Sequence, residues 1–413
     1  MSDEQTTSKI DRRTLLKRAA LAAAAGTVPL ARTSGAWAGL TRPAAVKPIR
    51  IGNLLTLSGP NATQGLDIKK GFVTYVLANG HRLGGRKIQF FDADDAANPA
   101  IAIQQVQKLA NEDHVDFIEG IVFSNILLAV RDTIDSLQIP TVVANAGANA
   151  VTRERRSAYI FRTSATNYQF GSNLSKWAAQ HFPTDMVIVA ANFAGGQEQA
   201  AAFKAGYEAA GGKTNGDIIF TPFPTAPDYQ PYLSRVQQLN PKCVYFFSPG
   251  AGDGIRFVQQ FAQFGLNRQA QLIGPPQLTD PQSEIDAQGA AALGIKTSVN
   301  WNAGLKNAAN TKFKAAFKRF GAVPSDFAEV GYNAAQYLDL VIKKVHGDIS
   351  NKNRVLQAMA NPGPWQSPGG LLKMDPVTHQ VDLPFYLVTV VKQGDKYVNK
   401  LTASLGRIKD PGQ

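Results

Sequence analysis

Residues 49–60 read Ile49-Arg50-Ile51-Gly52-Asn53-Leu54-Leu55-Thr56-Leu57-Ser58-Gly59-Pro60. The first seven are a short apolar run, and the Ser, Gly and Pro that follow are turn formers. That is the pattern of a buried strand ended by a turn. From Asp67 to Asn79 the spacing changes to a helical period. Gly84-Gly85 then leads into a second strand, Lys87-Ile88-Gln89-Phe90-Phe91. Pro99 is well placed at the start of a helix running to about Asn111. Val115–Ile118 reads as a third strand, Ile126–Leu137 as a helix, and Thr141-Val142-Val143 after Pro140 as a fourth strand. Strands alternating with helices are the signature of a parallel sheet covered by helices.

The rhythm breaks and restarts. Phe161-Arg162-Thr163 is extended, and a helix is expected from about Gly171 to His181. Strands follow at 186–190, 218–220, 244–247 and 271–273. Helices follow at 197–209, 232–239 and 254–264. Later helices are expected at 311–320, 326–345 and 355–359, with Asp326 placed to cap the second of them. Phe385–Val391 reads as a late strand. Two α/β units of similar rhythm imply two lobes, and the return of the chain implies several hinge crossings. We assign 46–163 with 300–375 to a first lobe, and 164–299 with 376–413 to a second.

Residues 1–38 stand apart. A twin arginine, Arg12-Arg13, precedes an alanine-rich apolar stretch and then Ala36-Trp37-Ala38. Basic, apolar, then A-x-A is the layout of a cleavable export signal. Arg12-Arg13-Thr14-Leu15-Leu16-Lys17 resembles the pattern read by the twin-arginine (Tat) pathway. Cleavage is expected near Ala38, which places the mature chain in a periplasm. No later run is long and apolar enough to span a bilayer. Cys243 is the single cysteine, so no intrachain disulfide and no cysteine metal site can form.

The net charge is +12. A nucleic-acid binder would show basic runs interleaved with aromatics. Here the charges are scattered, and the densest cluster, Arg153, Arg155 and Arg156, reads as a solvated loop. The five histidines (His81, His114, His181, His346 and His379) are isolated and show no metal-ligating spacing. There is no G-x-S-x-G elbow and no phosphate loop. Gly250-Ala251-Gly252-Asp253-Gly254 follows a strand, but a dinucleotide turn would need its third glycine at Ile255. Asp92, Asp94 and Asp95 follow a strand and read as loop hydrogen bonding and helix capping before Pro99, in preference to a cation site. Two α/β lobes without a catalytic constellation fit a cleft that binds and releases a solute.

Ile51-Gly52, Leu57-Ser58-Gly59-Pro60 and Gly65 resemble the opening of the solute-binding proteins of ABC importers, of the leucine/isoleucine/valine-binding type. Asn79-Gly80, Gly84-Gly85-Arg86-Lys87-Ile88, Asp94-Asp95 with Pro99, and Phe161-Arg162-Thr163 follow that family's order and spacing. The resemblance implies a type I periplasmic binding protein fold, with two Rossmann-like α/β lobes of parallel sheets joined by a multi-crossing hinge. It implies no enzyme activity and no cofactor. It also implies a small organic ligand and an inner-membrane ABC permease as partners, with a monomer as the expected state and no nucleic acid.

By the same resemblance, Ser124 and the backbone of Ala146-Gly147-Ala148 hold the ligand's carboxylate. Ser124 has a second role open to it, as the N-cap of the helix near Ile126. Gln64 takes the place of an aromatic that covers the ligand. Relatives that bind amino acids anchor the ammonium with acids. Here Gly274-Pro275-Pro276-Gln277 carries none, and Asn167 stands at another acidic position. A buried ammonium without a carboxylate is costly, so an organic acid is favoured over an α-amino acid. Asn145-Ala146-Gly147-Ala148-Asn149 resembles a subgroup associated with aromatic acids, and Tyr168, Phe193 and Phe247 are placed to stack on a ring. Ala97 and Phe123 stand where the family has cysteines. A branched-chain amino acid ligand, a sensory receptor of the same fold and an exported oxidoreductase are the competing readings.

Overall fold

The computed structural model describes residues 47–248 and 250–412. The leader read over residues 1–38 lies outside the described residues. The first sheet is built from β1 (Ile49–Leu55), β2 (Arg82–Leu83), β3 (Arg86–Asp94), β4 (Phe117–Gly120), β5 (Thr141–Val143) and β6 (Ile160–Arg162), in the order β2-β3-β1-β4-β5-β6. All its pairings are parallel except the β2–β3 hairpin. Helices α1 (Ala62–Ala78), α2 (Pro99–Asn111) and α3 (Ser124–Leu137) connect its strands.

The chain then passes through α4 (Asn167–His181) into a second sheet. Its parallel strands are β7 (Met186–Ala191), β8 (Ile219–Thr221), β9 (Cys243–Phe247), β10 (Gln271–Gly274) and β11 (Lys296–Val299). Between them run α5 (Ala194–Ala209), α6 (Gln230–Leu239), α7 (Ala251–Gln263) and the short α8 (Gln282–Gln288). Next come α9 (Ala308–Phe317), α10 (Asp326–Lys344) and α11 (Lys352–Ala360), then a small antiparallel sheet of β12 (Trp365–Ser367), β13 (Gly370–Met374) and β14 (Val381–Asp382). Antiparallel β15 (Pro384–Gln393) and β16 (Lys396–Arg407) complete the second sheet, in the order β16-β15-β11-β10-β9-β7-β8.

Strands buried on both faces explain the unbroken apolar runs in the sequence. In β7, Met186, Ile188 and Ala190 join one core while Val187 and Val189 join another, the two-residue period of a strand. Helix α2 begins and ends where the sequence places it. Asn98 accepts hydrogen bonds from the Ala100 and Ile101 N–H groups, and Pro99 fills the first position. Helix α1 starts five residues before Asp67. Its first turn is pressed on the chain after β1: a Cβ on Gly65 would sit 2.0 Å from the Thr56 carbonyl oxygen. Helices α1 and α10 approach just as closely. A Cβ on Gly71 would lie 1.8 Å from the Ala328 oxygen, and one on Gly331 2.0 Å from that of Ile68.

Three local expectations are corrected. Ser325, not Asp326, caps α10, by accepting the Ala328 N–H at 3.1 Å. Asp94 and Asp95 do close their loop, on the N–H groups of Leu57, Ala96 and Ala97 and the Thr56 hydroxyl, but the cap of α2 is Asn98. The arginine cluster is engaged as well as solvated: Arg153 pairs with the buried Asp410 at 3.0 Å, and Arg155 with Asp132 at 3.1 Å.

Polar networks knit the segments that run between the sheets. Gln380 donates to the Ser164 carbonyl at 2.6 Å and to Gln169 at 3.0 Å, and accepts from Arg162 at 3.0 Å. Glu329, in the first turn of α10, is fully buried. Its oxygens collect Asn333 Nδ2 at 2.8 Å, the Gly369 N–H at 3.0 Å, Asn300 Nδ2 at 3.3 Å and Ser367 Oγ at 3.4 Å. Asn333 is one turn further along α10, Asn300 is on the chain leaving β11, Ser367 ends β12 and Gly369 is in the turn after it. Burial outweighs the four donors and pushes the Glu329 carboxyl up to about 7.

Candidate functional site

A cavity of about 30 Å³ sits beyond the carboxyl ends of β4 and β5 on one side and of β7, β9 and β10 on the other. This is where ligands lie in open α/β sheets. Eight residues singled out from the sequence line it: Gln64, Ser124, Asn145, Gly147, Asn167, Phe193, Phe247 and Gln277. Four do not. Ala146 and Ala148 pack their methyl groups in the core, and the Ala146 N–H is spent on the Ile121 carbonyl at 2.9 Å. Pro276 is buried in the turn that presents Gln277. Tyr168 turns away, with the Arg153 guanidinium over its ring 5.1 Å from the centroid. Val122, Phe123, Phe170, Gly195 and Gln199 line the cavity without having been anticipated.

Ser124 is the first residue of α3 and not its cap, because Phe123 holds the cap position. Ser124 as a whole is 3% exposed. Ser124 Oγ accepts a hydrogen bond from Asn167 Nδ2 at 2.9 Å. The other Asn167 Nδ2 hydrogen goes to Glu198 at 2.8 Å, and Asn167 Oδ1 accepts from Gln199 at 3.2 Å. With one lone pair so occupied, the Ser124 O–H has no acceptor among the described residues and is available to donate into the cavity.

Gly147 needs to be glycine. A Cβ there would sit 2.4 Å from Asn167 Oδ1 and 2.8 Å from the Asn167 backbone nitrogen. Asn145 is tied by its Nδ2 to the Val122 carbonyl at 2.8 Å. Three helices start at this cavity: α3 at Ser124, α4 at Asn167 and α5 one residue before Gly195. None has an acidic residue in its first turn, and the carboxylate beside them is that of Glu198.

One carboxylate does lie nearby. Glu198 accepts from Asn167 and from the Asn149 N–H at 2.9 Å. The Ala148–Asn149 peptide carries a counter-charge on its other side, where Arg162, fully buried, donates to the Ala148 carbonyl at 2.6 Å. Glu198 is held in this chain and does not line the cavity.

The rest of the lining is aromatic. Phe193 stacks on Phe223 with ring centroids 4.3 Å apart, and Phe247 is tilted against Phe193 at 5.8 Å. Phe123, from the first sheet's side, meets both Phe193 and Phe223 edge-on at 6.0 and 5.6 Å. These rings fill most of the space between the walls. A cavity of roughly 150 Å³ is what holds a benzene ring, so a ring entering here must displace a phenyl group or part the walls. Asn61 Nδ2 reaches the Pro224 carbonyl at 3.4 Å, and a Cβ on Gly250 would fall 2.4 Å from Asn61 Oδ1, so the walls are closely apposed. A larger cavity of about 370 Å³ lies at the opposite, amino-terminal ends of β4 and β5. Among the described residues no group of three or more His, Cys, Asp or Glu is arranged to hold a metal ion, and no helix is long and apolar enough to cross a membrane.

Residues 48–395 match the family described as periplasmic binding protein. The chain belongs to that family. Its members are periplasmic, non-enzymatic components of transport systems, and this periplasmic binding protein is the substrate-binding protein of an ABC transporter. It is similar to Leu/Ile/Val-binding protein homolog 6 of Brucella melitensis biotype 1, at 26% identity over 368 residues, 88% of this chain and 93% of the relative. Among solved structures it is similar to an ABC transporter solute-binding protein from Rhodopseudomonas palustris in complex with benzoate. That likeness is 32% identity over 89% of this chain and 99% of the other, with a TM-score of 0.81. A second, from Rhodopseudomonas palustris BisB5 in complex with 3,4-dihydroxybenzoic acid, is 30% identical over 88% and 99% of the two chains, also at 0.81.

Proposed function

We propose that this periplasmic binding protein captures a small aromatic carboxylate in the cleft between its lobes and delivers it to an inner-membrane permease. The lobes are taken as 46–163 with 300–375 and 164–299 with 376–413, acting as a monomer, with residues 1–38 as a twin-arginine leader. The observation that carries the reading is the convergence of three helix amino termini, free of first-turn acids, on a cavity otherwise walled by phenyl rings. An anion is favoured at such termini, and an aromatic body is favoured among Phe123, Phe193 and Phe247. The Ser124 hydroxyl and the Gly147 N–H, which donates to no described residue, are the donors for the carboxylate. The relatives in complex with benzoate and 3,4-dihydroxybenzoic acid support the same ligand class.

Beside the Leu/Ile/Val-binding relative, Glu198 gives a branched-chain amino acid ligand its support in the structure, since it is a carboxylate close to the site. It is already spent on two N–H donors, and among the described residues no acid lines the cavity. A thermal-shift screen of the mature chain separates the two readings, because binding to the native state raises the melting temperature by mass action. Benzoate-type acids at about a hundred times their Kd should stabilise the protein by about 2.7 kcal/mol, with no shift from leucine, isoleucine or valine. A shift with leucine and none with benzoates would overturn the proposal.

A further inference from the structure

The amide of Gln277 stands out within this cavity. It is 7% exposed and lines the wall contributed by the second sheet, in the turn after β10. Gln277 Oε1 is buried and has no hydrogen-bond partner, and among the described residues the amide donates to nothing. Gln199, on the same wall, spends its Nε2 on Asn167 and leaves its buried Oε1 without a partner. Buried polar atoms in native proteins are nearly always satisfied, and exceptions call for a partner. Two unsatisfied amide oxygens in one ligand cavity therefore point to a ligand group.

From this we infer that the ligand carries a ring hydroxyl, and that Gln277 is the residue that recognises it. The inference rests on the aromatic-carboxylate reading above and narrows it. Ser124 and Gly147 belong to the wall after β4 and β5, and Gln277 belongs to the facing wall. A ring held by its carboxylate at the first wall presents its far edge to the second. A hydroxyl is both donor and acceptor, so it satisfies Gln277 whichever way the amide is turned, and its proton satisfies Oε1 directly. An unsubstituted ring would leave the amide buried and unpaired. A site built to bond a hydroxyl discriminates strongly against the analogue that lacks it.

The test is calorimetric titration of the mature protein with benzoate and with 4-hydroxybenzoate or 3,4-dihydroxybenzoate, repeated on Gln277→Met. The wild-type protein should bind the better hydroxylated acid at least about tenfold more tightly than benzoate. Gln277→Met should lose that preference, with the hydroxylated ligand weakened relative to benzoate. Equal wild-type affinity for benzoate and both hydroxybenzoates overturns the inference while leaving the aromatic-carboxylate reading intact. So does a Gln277→Met variant that keeps the full preference. Binding of leucine with no binding of any aromatic acid overturns both. The wild-type ratio decides the matter even where the variant fails to fold.

Discussion

A Ser124→Ala chain should bind its aromatic carboxylate about ten- to a hundredfold more weakly than the wild-type protein. The size follows from what the hydroxyl does. Its oxygen already accepts from Asn167, so its proton has only the cavity to serve. A hydrogen bond from a buried hydroxyl to a carboxylate contributes about 1.5–3 kcal/mol. Alanine removes that donor and also strands one Asn167 N–H, so no rearrangement of the neighbouring residues replaces it. The methyl group fits the same space, and the apo protein should unfold within about 1–2 kcal/mol of wild type. Titration calorimetry on both proteins checks the affinity, and denaturant unfolding checks the fold. A change of less than about twofold in affinity would remove Ser124 from the carboxylate site.

The second large effect is on stability and depends on pH. The Glu329 carboxyl is raised from 4.5 to about 7 in the folded protein, so between those values the native state holds a proton that the unfolded chain has released. Stability from this group is fully present below about 4.5 and is lost as pH rises through about 7. The span is about 3 kcal/mol for a shift of this size. Glu329→Gln keeps a neutral group of the same shape at every pH. Its new N–H₂ faces Asn300, whose Oδ1 has no partner and can turn over to accept. The variant should match wild type near pH 4.5 and exceed it by about 3 kcal/mol near pH 8. Asp280, Asp326 and Glu284 are raised in the same direction, chiefly by burial, and remain in both proteins; Asp326 also feels the Glu329 charge, so the difference between the two reports Glu329 together with that coupling. Urea unfolding at the two pH values measures it. Parallel pH profiles for the two proteins would show that Glu329 carries no such proton.

Much of the fold is visible in the chain because its central strands are buried on both faces and its helices open on recognisable residues. Asn98-Pro99 starts α2, and Pro140 precedes β5. What stayed hidden depends on distant partners. Strand β16 is polar and largely exposed along its outer edge, and it exists because β15 pairs with it over its whole length. Strand β11 is four residues with a single large apolar side chain, ordered by β10 and β15. In the site, the family resemblance brought forward Ser124, Gly147 and Gln277, and the loops after the strands brought forward Phe193. Phe123 was read only as the place of a missing cysteine, since nothing local says that it meets Phe193 and Phe223 across the cleft. Glu198 sits in an ordinary amphipathic helix, and only the folded chain shows it accepting from Asn149. Tyr168 looked free to stack on a ligand because Arg153, fifteen residues away, gives no local sign that it covers that ring.

The central claim is that an anionic aromatic acid is held by its carboxylate. Titration of the mature protein with 4-hydroxybenzoate and with 4-hydroxybenzamide tests it most directly, because the two differ in charge at one group and little in shape. The acid should bind saturably, with the amide at least about tenfold weaker for want of the charge-assisted hydrogen bonds. Equal binding of acid and amide, or binding of leucine in place of both, would contradict it.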